Sequence, residues 1–220
     1  MLPGMSEAPS SRTEVRRLPE RASYDRELID SILDEALICY VGFVHEGTPV
    51  VIPTNHARVG DTLYLHGSPA SRMLRTMRSG DEICVTATLI DGLVVARAAF
   101  HNSMNYRSVV IFGSPRIVTD PDEKRAALEA ITDHVVPGRW ADSRPMTEKE
   151  EKGTLVVAVP ITEASAKTRA GGPGDEDEDY SLPIWAGVLP LTLTPGDPIP
   201  DPGLQLDVPV PDYVSRYRRP

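Results

Sequence analysis

The hydrophobic positions along the chain change their period after residue 35. In residues 24–35 the apolar side chains recur at helical spacing on one face. A continuous apolar run follows in residues 36–45, and beyond it short apolar segments alternate with turn signals every eight to twelve residues. We therefore predict one helix followed by an antiparallel β-meander.

The same pattern predicts seven strands and four helices in all. The predicted strands are 36–45, 49–55, 62–66, 82–90, 93–100, 106–118 and 155–161. The predicted helices are 24–35, 71–79, 120–134 and 146–151. Asp91-Gly92, between two of these strands, is a typical two-residue hairpin turn. The predicted fold class is α+β, an antiparallel barrel of six or seven strands with peripheral helices.

A chain of 220 residues suits one domain, which we place at residues 23–193. Residues 1–22 are polar and arginine-rich, which predicts either a flexible arm lying on a partner subunit or plain disorder. Residues 170–179 are glycine-rich and then acidic, which predicts a mobile loop. Residues 194–220 form a proline-rich C-terminal tail.

The net charge of −9 and the pI near 5.1 argue against a nucleic acid or an anionic membrane as partner. No apolar run approaches the length of a membrane span, and the first residues lack the layout of a signal peptide, so we expect a cytoplasmic protein. Cys39 and Cys84 lie in apolar segments and are predicted to be buried free thiols. The five histidines show no helical pair spacing, so no metal site is predicted.

The loop between the third predicted strand and the second predicted helix carries the clearest candidate chemistry. It contains Ser68, Ser71 and Arg72. Backbone N–H groups and the positive end of the helix dipole favour an anion there, and two hydroxyls with a guanidinium fork can bind a phosphate. Alternatively, a serine caps the helix while Arg72, Arg75 and Arg78 form its solvated face. The residues alone leave both interpretations open.

Four stretches, in the same order, make the chain similar to the pyridoxamine 5'-phosphate oxidase-like split-barrel family of FMN-binding proteins, in particular its nitroimidazole-resistance-type branch. They are residues 50–55, the pair Ser71-Arg72, residues 106–113, and Ile184-Trp185-Ala186-Gly187. The resemblance implies a split β-barrel and a homodimer that binds FMN and a small-molecule substrate at the subunit seam.

The resemblance also implies which residues contact the cofactor. The 50–55 strand runs along the flavin ring, the Ser71-Arg72 pair binds the phosphate, Arg107 and the residue after it approach from beside, and the indole of Trp185 borders the ring from the second subunit. His66 matches by position a histidine that holds a ligand. The implied cofactor-binding set is Pro53, Thr54, Asn55, His66, Ser68, Ser71, Arg72, Arg107, Ser108 and Trp185.

Three members of this set have a structural alternative. His66 could be a capping or core histidine, Arg107 could form an ordinary surface salt bridge, and Trp185 could belong to the core.

One departure from the family narrows the function. In true pyridoxamine phosphate oxidases a basic signature follows the Trp-x-Gly, whereas this chain continues Val188-Leu189-Pro190-Leu191. The resemblance therefore implies an FMN-dependent oxidoreductase that passes electrons from a reduced nicotinamide to a small acceptor, and not pyridoxal phosphate synthesis. No catalytic acid or base is predicted.

Three other functions stay open at this point. A deazaflavin coenzyme could replace FMN, with Arg75, Arg78 and the basic arm contacting its longer acidic tail. The protein could bind a flavin without turnover. A haem-binding split barrel would need an axial histidine, and none of the five histidines is evidently presented for that role.

Overall fold

The structure, a computed structural model, describes residues 7–204 and 208–218. Eleven strands are described: β1 (Ala22–Ser23), β2 (Cys39–His45), β3 (Thr48–Thr54), β4 (His56–Val59), β5 (Thr62–Gly67), β6 (Ile83–Val95), β7 (Ser103–Gly113), β8 (Arg116–Ile117), β9 (Leu155–Pro160), β10 (Glu163–Arg169) and β11 (Gly187–Pro190). The α-helices are α1 (Arg26–Glu35), α2 (Arg72–Met77), α3 (Pro121–Val135), α4 (Glu148–Lys152) and α5 (Asp212–Ser215). Within the described ranges no helix combines the length and the apolarity needed to cross a membrane.

The strands form two antiparallel sheets. The larger sheet has the order β1-β10-β7-β6-β2-β3, with β11 paired to β6 as its seventh strand. The smaller sheet has the order β4-β5-β9-β8. This arrangement confirms the predicted α+β split β-barrel.

One main core fills the space between the two sheets. It takes Leu63 and Leu65 from the smaller sheet and Val85 and Ile111 from the larger one, all fully buried. Helix α1 closes this core, because Ile29, Ile32 and Leu33 on one of its faces all point inward. Asp25 caps the N-terminus of the helix. Cys39 is buried in the core, and burial raises the pKa of its thiol to about 12.

A second apolar cluster covers the outer face of the smaller sheet. Asp120 caps α3 by accepting a hydrogen bond from the Glu123 N–H, and Pro121 starts the helix. The buried face of α3 packs Leu128 and Ile131 against Tyr64 of β5, with Val156 and Ala158 of β9 beneath. The smaller sheet is therefore covered on both faces.

The predicted Asp91-Gly92 hairpin is wrong. The chain runs straight through this point as β6, with a register irregularity between Ile90 and Gly92. Gly92 does not adopt the positive φ that a hairpin turn of this type needs. Its lack of a side chain serves another purpose, because a Cβ there would lie 3.0 Å from the carbonyl oxygen of Leu189 in β11.

Both terminal segments lie against the barrel. Arg12 forms ion pairs with Glu82 and Glu163, and its guanidinium stacks 5.1 Å from the centre of the Phe112 ring. At the other end, Tyr217 donates a hydrogen bond to the carbonyl of Val135 at the end of α3, at 2.9 Å.

The glycine-rich and acidic segment 170–179 is tied to the end of β6. The carboxylate of Asp175 accepts hydrogen bonds from the backbone N–H groups of Arg97 and Ala98, at 2.9 and 3.2 Å, and from the Arg97 guanidinium at 3.1 Å. The same guanidinium lies 4.6 Å from the centre of the Tyr180 ring. These contacts fix the direction in which the chain leaves the barrel toward Trp185.

Candidate functional site

The strand that carries Pro53, Thr54 and Asn55 lies at the edge of the larger sheet. β3 pairs with β2 on one side, and within the described residues no strand covers its other side. Pro53 and Asn55 are exposed, while Thr54 is half-buried. An edge strand with a proline leaves its outer side free of ladder hydrogen bonds, so a planar ligand can lie along it.

The predicted phosphate loop forms the start of α2. Ser71 is the N-cap, and its hydroxyl accepts a hydrogen bond from the Leu74 N–H at 3.2 Å. The Ser68 hydroxyl accepts from the Ala70 N–H at 3.2 Å. Both hydroxyls thus have a local role, and each still has a proton to donate to a ligand.

Three arginines lie along the outer face of α2 and its C-cap, Arg78. Arg72, Arg75 and Arg78 are exposed, and none makes an ion pair with any residue that the structure describes. The other face packs inward through Met73, Leu74 and Met77. This row of unpaired guanidinium groups, three residues apart, is available to an anionic ligand.

Arg107 is held by two carboxylates. Its guanidinium donates to Glu35 at 2.8 Å and to Asp91 at 2.8 Å, and these hydrogen bonds raise the pKa of the guanidinium. Ser108 beside it donates to the carbonyl of Lys167 at 3.1 Å. The side chain of Arg107 therefore forms a salt bridge, which was the alternative to the cofactor contact.

Trp185 is not a core residue. Its side chain is 68% exposed, and its ring lies over Gly187, where a Cβ would stand 3.1 Å from Trp185 Cζ2. A large exposed indole at the start of an edge pairing is free to contact a ligand or a second molecule.

His66 faces a different part of the molecule from the phosphate loop. Side chains alternate along β5, so Leu63 and Leu65 enter the main core while Tyr64 and His66 point toward α3. There His66 lines a cavity of about 1050 Å³ between α3 and the segment 140–154. Ser68, Ser71 and Arg72 do not line this cavity.

The cavity has an apolar wall and a charged rim. Leu128, Ile131, Trp140 and Met146 form the wall beside His66. The rim carries the charged side chains Asp122, Lys124, Arg125, Glu129, Arg144, Glu151 and Lys152. A volume at the upper end of the range for small-molecule pockets, apolar inside and charged outside, suits a large amphipathic ligand.

The imidazole of His66 is available for such a ligand. Its Nδ1 is buried and has no hydrogen-bond partner in the described part of the chain. Burial lowers the pKa of His66, so the ring is neutral at pH 7 and keeps a lone pair for a metal or a hydrogen-bond donor. Among residues 7–204 and 208–218, no group of three or more His, Cys, Asp or Glu side chains could by itself hold a metal ion.

The other four histidines are engaged elsewhere. His45 lies 3.0 Å from the Thr76 hydroxyl, and His101 lies 3.7 Å from Glu176. His56 and His134 bind the backbone carbonyls of Leu33 and Ala36, with ring centres 4.9 Å apart. His66 is thus the histidine that the fold presents to a cavity.

The sequence did not indicate the residues that surround His66. The wall and the rim come from α3 and from a loop more than seventy residues further along the chain. The one signal in the sequence was Trp140, a large aromatic residue that directly follows Pro137-Gly138-Arg139, the turn after the predicted helix.

Comparison with solved structures finds two close matches over most of the chain. The flavocytochrome Anf3 from Azotobacter vinelandii is 40% identical with a TM-score of 0.91, covering 98% of this chain and 100% of that one. A FAD- and haem-binding protein from Mycobacterium smegmatis is 40% identical with a TM-score of 0.86, covering 90% of this chain and 98% of that one.

More distant similarity extends to a protein from Bacteroides thetaiotaomicron named for 5-nitroimidazole antibiotic resistance. It is 28% identical with a TM-score of 0.56, covering 66% of this chain and 85% of that one. No curated protein matches the chain. A family model described as pyridoxamine 5'-phosphate oxidase matches residues 25–168. The chain therefore belongs to the pyridoxamine 5'-phosphate oxidase family.

Proposed function

We propose that this protein is a redox protein that binds a flavin and a haem. The observation that carries the proposal is the neutral, unpartnered imidazole of His66 beside the apolar wall of a cavity of about 1050 Å³. Two solved structures, each 40% identical, are named as a flavocytochrome and as a FAD- and haem-binding protein, which supports the same assignment.

The cavity fits a haem by its chemistry. His66 would hold the haem iron through a ring nitrogen, which must be neutral to coordinate a metal, and the lowered pKa of His66 favours that state. Leu128, Ile131 and Trp140 would pack against the apolar macrocycle and keep water from it. When bound, the haem supplies one-electron chemistry at its iron and the flavin supplies two-electron exchange with a nicotinamide.

We place the flavin at the edge of the larger sheet. Pro53, Thr54 and Asn55 would lie along its ring, and Ser71 and Arg72 would bind its phosphate. The open edge of β3 and the unpaired Arg72 support this placement. Because the donors of Arg107 are already occupied by Glu35 and Asp91, it is not included in the proposed contacts.

We favour FAD over FMN as the flavin. The name of the Mycobacterium smegmatis protein specifies FAD. The unpaired Arg72, Arg75 and Arg78 also lie along α2 and its C-cap, and the six helical steps from Arg72 to Arg78 span about 9 Å, which suits a ligand longer than a mononucleotide.

The proposal also includes a reduced nicotinamide as the electron donor and a small molecule as the electron acceptor. The protein would act as a homodimer. In this dimer Trp185 of one copy covers the flavin held by the other. The 68% exposure of Trp185 supports this role.

The visible absorption spectrum of the purified protein tests the proposal, together with mass spectrometry of the cofactors that heat releases. We expect both a haem Soret band and a flavin. His66→Ala should lose the haem band and keep the flavin, whereas His101→Ala, a matched change outside the cavity, should keep both.

Three results would change the conclusion. A protein that contains flavin and takes up no added haemin would contradict the haem site and leave a flavin-dependent reductase. Release of FMN or a deazaflavin would replace FAD. A His66→Ala protein with an unchanged Soret band would show that another residue binds the iron.

A further inference from the structure

Four cationic side chains stand at the rim of the His66 cavity, and three of them have partners. Lys124 donates to the carbonyl of Glu151 at 2.6 Å. Arg144 pairs with Glu150 at 2.5 Å, and Lys152 pairs with Glu148 at 3.1 Å. These three side chains are therefore already engaged by the segment 144–152, two of them in ion pairs and Lys124 in a hydrogen bond.

Arg125 is the fourth, and it differs from the others. It lies on α3, lines the cavity and makes no hydrogen bond or ion pair with any side chain or carbonyl in the described ranges. Glu129 stands four residues further along the helix, at a spacing that often gives an ion pair, yet no such pair forms. The guanidinium therefore has all its donors available to a ligand.

The position of Arg125 on its helix fits a ligand that also contacts His66. Residues 125, 128 and 132 follow one another on the cavity side of α3, so the exposed Arg125 lies one helical turn from the buried Leu128 of the apolar wall. A ligand seated against this face and the imidazole would bring an acidic edge to the guanidinium. A guanidinium binds a carboxylate through two parallel hydrogen bonds.

We propose that Arg125 anchors a carboxylate of the cavity ligand and makes the cavity selective for an apolar macrocycle that carries free acid groups. The inference rests on the haem assignment above and adds to it how the ligand is oriented. In a haem the acid groups are the two propionates at one edge of the ring. His66 would then fix the iron, and Arg125 would fix which edge of the ring faces the solvent.

The inference is tested by titration with haemin and with haemin dimethyl ester. The protein is purified with its flavin from cells grown under haem limitation. The ester keeps the iron and the ring but removes the acid charges. We expect wild-type protein to bind haemin about tenfold more tightly than the ester. This factor lies at the lower end of the range for a charge-assisted hydrogen bond, because Arg125 is exposed to solvent.

Three variants complete the experiment. Arg125→Gln should bind haemin about tenfold more weakly and should no longer distinguish haemin from its ester. Arg125→Lys should recover part of the discrimination, because a point charge remains without the fork. Arg16→Gln, an equal charge change on the exposed N-terminal arm, should behave like wild type. The Soret maximum should be the same in all four proteins, since His66 is intact.

The outcomes separate the two proposals. A wild-type protein that takes up no haemin overturns the haem assignment and Arg125 with it. A wild-type protein that binds haemin, with an Arg125→Gln variant that binds it equally well or still prefers it over the ester, overturns the role of Arg125 alone.

Discussion

At the scale of the residue, Arg107 could either stabilise the fold through its ion pairs or bind the cofactor, and a substitution distinguishes the two roles. Its guanidinium bridges Glu35 and Asp91, and about 29% of its side chain is exposed. Arg107→Gln would remove the guanidinium that pairs with both carboxylates. We expect a loss of about 1–2 kcal/mol in the free energy of unfolding, measured by urea denaturation, with an unchanged flavin content.

A suitable control is Arg116→Gln, which removes a more exposed ion pair with Glu123. Such surface pairs contribute up to about 1 kcal/mol, so this variant should lose less stability than Arg107→Gln. A large loss of flavin from Arg107→Gln, with stability intact, would instead show that Arg107 binds the cofactor as the family resemblance implies.

His66 makes a second prediction at this scale, for the protein without cofactors. Burial lowers its folded pKa below the ordinary value near 6.5, so the unfolded chain binds a proton at His66 more readily than the folded chain does. The free energy of unfolding therefore falls as the pH drops from 6.5 toward the folded pKa, and it is unaffected by His66 above that window.

Urea denaturation at pH 7.5 and pH 5.5 checks this sign. His66→Gln should lose less stability between the two pH values than wild type, because the buried titrating ring is gone. His101→Gln, outside the cavity, should retain the wild-type dependence on His66. An equal pH dependence in His66→Gln and wild type would mean that His66 is not desolvated in the folded protein.

At the scale of the element, the hydrophobic period predicted most of the helices and strands but little of how they pair and pack. The α1 and α3 helices are predicted because their buried positions recur every three or four residues, and in α3 also because Asp120 and Pro121 mark its start. The strand β10 is missed, because its buried residues Ala164, Ser165 and Ala166 give no apolar signal. The single long β6 is missed because the reason for Gly92 lies in β11, almost a hundred residues away.

The candidate site divides in the same way. Ser71 and Arg72 could be found from sequence, because they are adjacent and start a helix. The cavity could not, because it exists only where α3 packs across β5 and brings Arg125 near the same space as His66. The pleat of β5 decides that His66 faces this space, and that direction depends on which neighbours form the main core.

The acidic segment 170–179 gives an element-scale prediction. Burial alone would raise the pKa of the Asp175 carboxyl, but hydrogen bonds from the Arg97 and Ala98 backbone and from the Arg97 guanidinium hold it below its usual value. Asp175→Ala should release the segment from β6. We expect faster amide exchange at Arg97 and Ala98 and faster proteolysis within the segment, whereas Asp177→Ala should change neither.

Slow exchange at both amides in Asp175→Ala would mean that other contacts hold the segment. The stacking of Arg97 on Tyr180 is the remaining candidate for that role.

At the scale of the whole molecule, exposed apolar side chains recur along the chain after the acidic segment, and Val51 adds one on the edge strand. Val51 on β3 is 65% exposed, and Trp185, Leu189 and Leu193 are 68%, 54% and 76% exposed. Isolated apolar residues on a surface are common, but several along one extended segment indicate an interface. We expect the protein to elute with twice the 24.0 kDa mass of one chain when measured by light scattering.

Mixing two defective variants tests whether the two copies share each flavin site. Arg72→Ala and Trp185→Ala homodimers should each lose most of their flavin, because both sites lack one contact. In a heterodimer of the two variants, the proposed geometry puts both substitutions in one site and leaves the other site intact, so half of the wild-type flavin should return. If Arg72 and Trp185 of the same copy served the same flavin, each site in the heterodimer would carry one defect. The flavin content would then stay at the level of the homodimers, and a site shared between copies would be wrong.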